Sequence, residues 1–136
     1  MRRPVGATTF AIVLGWLGVA GILNALIWPL ALSSELMKSA PPELAARFPP
    51  ALGSWWLSLF ALAYGVSALL AARDLWRLSP AAVVSYRAWA ATVLLLMVAF
   101  CVSMPGVSFV AAVAFLVPVL ALLAAGWSLT RRLVQP

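Results

Sequence analysis

Four apolar runs, at about 7–32, 54–72, 82–104 and 107–130, decide what this chain can become. A helix rises about 1.5 Å per residue, so about 20 residues cross the hydrocarbon layer of a bilayer. Open strands leave backbone groups without partners in lipid, and the alternating pattern of a barrel strand is absent. All four runs therefore read as transmembrane helices. Of the 136 residues, 65% are hydrophobic and 9% charged, more apolar surface than one soluble core of this size hides. The expected fold is an all-α integral membrane protein, an up-down bundle of four transmembrane helices forming a single membrane domain over 1–136.

The first run competes with a signal peptide, for which Arg2 and Arg3 would be the basic leader. It is longer than the apolar stretch of such peptides, and no small-x-small cleavage site follows. A retained span is the better reading. The formal charge is +6, and its placement accounts for it. Arg2, Arg3, Arg73, Arg77, Arg87, Arg131 and Arg132 fall on one side of a four-span arrangement. The outer loop at 33–53 carries Glu35, Lys38, Glu43 and Arg47, which cancel. This positive-inside asymmetry puts both termini in the cytoplasm, and makes lipid headgroups the natural contacts of the arginines. No nucleic-acid motif accompanies the charge, so no nucleic acid is expected as a partner. Arginine outnumbers lysine eight to one, a composition that suggests a GC-rich bacterial genome and a bacterial inner membrane.

Between the first two spans, APPELAARFPP (40–50) is the one short stretch with charges of both signs and little apolar bulk. Its prolines stop helices and hold the residues before them extended. Glu43 to Phe48 reads as a single helical turn, with Leu44 and Phe48 on one face and Glu43 and Arg47 on the next. Such a turn suits a membrane-surface cap or partner contact. Trp55 and Trp56 then open the second span as interface markers. At the other end of that span, Asp74 lies three residues before Arg77 and next to Arg73. The expectation is a local ion pair, with docking of a partner as the sharper reading. Ser79-Pro80 breaks the chain before the third span, and Met104-Pro105-Gly106 forms the turn into the fourth. Arg87 snorkels from the third span toward the headgroups. Pro29 predicts a kink near Asn24–Ala25.

Packing is legible in the small residues. Ala61, Gly65, Ala68 and Ala72 form a stripe on the second span. Ala11, Gly15, Gly18 and Ala25 form one on the first. Small residues let backbones approach closely in lipid, so spans one and two are expected in contact. Within the spans, Asn24 and Tyr64 lie about 12 and about 15 Å from the outer ends and would pair if their faces meet. Trp16 is deeper and must either find a partner for its N–H or face a neighbour; left exposed it would hint at a pigment, quinone or lipid bound against it, though such a residue more often simply packs.

The inventory for catalysis is thin. There is no histidine, one cysteine (Cys101), and three dispersed acids. The commonest general base, haem ligand and metal ligand is missing, and no dithiol or phosphate loop exists. No catalytic residue, metal or cofactor is expected, and the chain does not read as an enzyme. In size and span count it resembles the small multidrug-type transporters. That family works through a membrane-embedded Glu in its first helix, where this chain has only Asn24. The expected role is a noncatalytic accessory or scaffold subunit of a larger bacterial membrane complex, energy-transducing complexes included. It would contact lipids and other integral membrane subunits through its helix faces. The rival is a small homo-oligomeric transporter or lipid-handling protein built around Asn24 and Tyr64.

Overall fold

The computed structural model describes residues 4–31, 38–46, 55–103, 106 and 108–134. Its elements are α1 (Val5–Ala31), α2 (Pro42–Ala45), α3 (Trp55–Trp76), α4 (Ala81–Ser103) and α5 (Phe109–Val134). The four long helices are each long and apolar enough to cross a membrane, and no strand occurs among the described residues. The protein is an all-α bundle of four membrane-spanning helices. Helix α3 covers the polar extension expected beyond Ala72 as far as Trp76, while α5 runs past the expected residue 130 to Val134. Helix α1 runs on through Pro29 to Ala31.

Local chemistry explains the boundaries. Helix α3 ends in a reverse hydrogen-bonded turn. Ser79 N–H donates to Asp74 O at 2.9 Å, and Leu78 N–H to Leu75 O at 3.0 Å. Leu78 takes the left-handed position this motif requires, φ 52°, where glycine is the usual occupant. Ser79 then caps α4, its Oγ accepting from Ala81 N–H at 3.2 Å, and Pro80 follows as a residue with no N–H to lose. Ser108 caps α5 in the same way through Ala111 N–H, 3.2 Å. Pro42, not Glu43, opens the short loop helix. Proline suits a first helical position, so the turn starts one residue early and ends at Ala45. Arg47 and Phe48, the end of the predicted turn, lie outside the described residues.

The helices alternate in direction. Between α3 and α4, Ser67 meets Thr92 and Asp74 meets Ser85, so one rises as the other falls. One end of the bundle, here called the base, holds the start of α1, the α3–α4 turn and the end of α5. The most extensive packing joins α1 to α3, less joins α3 to α4, and least joins α4 to α5. Buried side chains concentrate toward the base: Ala7, Ala11 and Leu14 on α1, Ala68 to Leu75 on α3, Ala82 to Trp89 on α4, and Thr130 on α5. On α1 the buried positions recur at 7, 11, 14, 18, 21 and 25. Alternating steps of four and three keep one seam facing a neighbour along the helix.

The middle of that seam is made of glycine. A Cβ on Gly18 would stand 2.9 Å from Gly65 O, and one on Gly21 would stand 2.9 Å from Gly65 Cα. Hydrogen therefore fills these positions because backbone occupies the space. The close contact expected between the first two spans is present at Gly18 and Gly65. Ala11 and Ala68 are buried in it, and Ala61 is half-buried. Gly15 does not belong: nothing lies within 4 Å of where its Cβ would be. Helical rotation carries it off the seam, and Gly21, one further step along, takes that role.

Candidate functional site

Many of the polar and aromatic groups of the spans gather on the α3–α4 seam and at the base. Asp74 is the centre of the base cluster. Its side chain is buried, with 7% of the residue exposed. Arg73 Nε and Nη2 both donate to Oδ1 at 3.2 Å, and Ser85 Oγ donates to Oδ2. The ion pair is therefore with Arg73 and not Arg77. Arg77 lies beyond the last residue of α3 in the turn, where its side chain is exposed, while Arg73 folds back from the helix. With both oxygens engaged and the residue covered, Asp74 ties α4 to α3 and offers little to an outside partner.

One rung higher, Ser67 Oγ and Thr92 Oγ1 lie 3.0 Å apart. Ser67 also reaches Tyr64 O at 3.0 Å, and Thr92 reaches Trp89 O at 2.7 Å. Two hydroxyl protons serve three contacts, so one hydroxyl at a time turns from its carbonyl to its partner. Sequence reading missed this pair. Serine and threonine are ordinary in membrane helices, and only the inter-helix register shows that residues 67 and 92 stand opposite each other.

Rings fill the space between helices. Tyr86 and Trp89 lie 5.4 Å apart by ring centroids, Phe10 and Tyr86 5.9 Å, Tyr64 and Trp89 6.2 Å, and Tyr86 and Trp127 6.4 Å. All are tilted contacts in the range aromatic pairs favour. Tyr86 Oη donates to Leu123 O at 2.9 Å and so carries the main polar tie between α4 and α5. Gly126 makes room for it, because a Cβ there would overlap the Tyr86 hydroxyl. Trp89 Nε1 and Ser58 Oγ are buried with no hydrogen-bond partner among the described residues. Arg87 stacks over Trp127 with its guanidinium carbon 4.2 Å from the ring centroid.

The predicted pair of Asn24 and Tyr64 does not form. Asn24 is exposed and accepts from Trp28 Nε1 at 3.2 Å, one turn along its own helix. Tyr64 lies against Gly21 and Trp89 instead. The depths were compatible, but the rotation is not: Asn24 lies about a quarter turn off the seam that faces α3. Glu43 and Trp56 are exposed. Trp55 opens α3, while Arg47 and Phe48 lie outside the described residues. Trp16 is 74% exposed. Among the described residues no three of His, Cys, Asp and Glu come together as metal ligands would. Set against family models, curated proteins and solved structures, the chain matches none of them.

Proposed function

We propose that this chain is a noncatalytic scaffold or accessory subunit of a larger complex in the bacterial cytoplasmic membrane, with both ends on the cytoplasmic side. The observation that carries this reading is Trp16. It stands near the middle of α1, exposed, with no hydrogen bond or ring contact among the described residues. An indole in the centre of a bilayer keeps its apolar faces comfortable, but its N–H has no water to donate to. A neighbouring membrane helix supplies an acceptor. Beside it, Gly15 leaves open space that admits a close backbone approach. The polar groups of the α3–α4 seam, by contrast, are spent mostly on each other, which favours a structural role over a reacting or transporting one. Orientation rests on the base, where Arg73, Arg77, Arg87, Arg131 and Arg132 outnumber Asp74.

The test is native mass spectrometry of the protein taken from its own membrane in mild detergent. The expected result is an unlike membrane chain bound to this one, released by Trp16→Ala while the helical content of this chain stays unchanged. Two outcomes would overturn the reading. One is recovery only as itself, alone or in copies. The other is solute flux by the purified chain in vesicles that Asn24→Ala abolishes.

A further inference from the structure

Among the described residues, Arg87 is the cation of the base that lies farthest inside a span. It lies six residues into α4, about 9 Å from the helix start. Trp127 lies at matching depth, seven residues before the end of α5, about 10 Å. The guanidinium stacks on the indole at 4.2 Å, yet the Arg87 side chain is exposed. Among the described residues it meets no carboxylate, for the one acid nearby, Asp74, has both oxygens engaged by Arg73 and Ser85. Stacking occupies the face of a guanidinium and leaves its N–H donors free along the edge. A charge with open donors at this depth calls for an anion, and a planar fork of donors matches a phosphate in bidentate fashion.

We propose that Arg87, held in place by Trp127, binds the phosphate of an anionic phospholipid at the base of the α4–α5 groove. A lipid is favoured over free phosphate by position. The site opens sideways from a membrane-spanning helix beside exposed Val84, at the level where headgroups meet hydrocarbon. A net-anionic lipid is favoured over a zwitterionic one by the surplus of arginine. Arg131, one helical turn beyond Trp127, lies on the same face of α5 and adds to that field. Above the site Leu120, seven residues before Trp127 and so on the same face of α5, is exposed, an apolar wall for an acyl chain. This inference concerns a different face from Trp16 and stands whether or not an unlike subunit is found.

The experiment uses the full chain in detergent micelles, titrated separately with phosphatidylglycerol and phosphatidylcholine, with retained lipid read by native mass spectrometry. The wild-type chain should retain phosphatidylglycerol about tenfold better. Arg87→Gln should bring the two lipids near parity, while Arg77→Gln, in the exposed turn, should shift the ratio by about twofold or less. Should Arg87→Gln not give helical, monodisperse protein, Arg87→Lys keeps the charge without the fork and should lower the preference about threefold. No preference in the wild type, or the same preference after either Arg87 substitution, would overturn the site. Displacement of the lipid by millimolar inorganic phosphate would overturn its assignment to a lipid.

Discussion

Helix α3 meets α1 across glycines and meets α4 across hydrogen bonds. On the first side, Gly18, Gly21 and Gly65 bring two backbones together until no added carbon fits. On the second, Asp74–Ser85 and Ser67–Thr92 pin the helices at two rungs while the rings of Tyr64 and Trp89 fill between them. Lipid tails are as apolar as leucine, so burying more leucine gains little. Adhesion must come from backbone proximity or from directional bonds, and this chain uses one device on each face of the same helix. The two seams should therefore fail differently: the glycine seam to added size, the polar seam to a lost acceptor.

The largest effect is expected where the glycine seam is tightest. A Cβ on Gly65 would stand 2.8 Å from both Gly18 O and Ile22 N, and backbone atoms cannot swing aside as a side chain can. Gly65→Leu must push α1 from α3 along much of their length. We expect a loss of about 3 kcal/mol in stability, the upper part of the usual overpacking range. Steric trapping in bicelles would measure it. A loss below about 0.5 kcal/mol, the scatter of ordinary surface changes, would show that the helices are not this close.

The polar seam should give a smaller and more local response. Asp74→Ala removes the acceptor for Arg73 and Ser85 together. Hydrogen bonds to a charged group are worth about 2 kcal/mol, and Arg73, largely exposed, recovers solvent or headgroup contacts when released. A net loss of about 2 kcal/mol is expected, mostly restored in Asp74→Asn because an amide oxygen still accepts. Hydrogen exchange tells this from a general loosening. Amides at the start of α4 should lose protection while those of α1 keep theirs. Equal loss in both helices would mean that the two seams act as one unit.

The legible part of this architecture was the part carried by length and small size. Four apolar runs gave four helices, and the stripes containing Gly18 and Gly65 pointed to the right pair of spans. Ser79-Pro80 marked the break before the third span. What stayed hidden depended on rotation and register. A soluble helix shows its inner face by alternating polar and apolar residues, but a span in lipid is apolar all round and loses that signal. Gly15 and Gly21 were thus indistinguishable on composition, and only Gly21 lies on the seam. Asn24 and Tyr64 had matching depths, yet depth says nothing about azimuth. Asp74 had two arginines in reach by sequence. The end of α3 at Trp76 chose between them by leaving Arg77 in the turn. Tyr86 and Gly126 are complementary across α4 and α5, which no pattern within either helix could reveal.

The smallest expected effect is also the sharpest check on where the glycine seam lies. Gly15 and Gly18 are one helical turn apart on α1, and alanine at either makes the same chemical change. At Gly18 the new methyl would stand 2.7 Å from Leu69 Cγ and 2.9 Å from Gly65 O, so Gly18→Ala should destabilise. At Gly15 it would meet open space. There alanine only removes backbone freedom from the unfolded chain and improves helix propensity, a gain of up to about 1 kcal/mol in water. Inside a bilayer the chain stays helical when the bundle opens, so most of that gain cancels. We expect Gly15→Ala to leave the isolated chain within about 0.5 kcal/mol of wild type, on the stabilising side if anywhere. Steric trapping on both variants gives the comparison directly. Destabilisation of the isolated chain by Gly15→Ala would move the seam and undo the geometry described for α1. If Gly15→Ala instead spares the isolated chain but weakens its hold on a partner subunit, the methyl has met a backbone from outside. Beside Trp16, that is where one is expected.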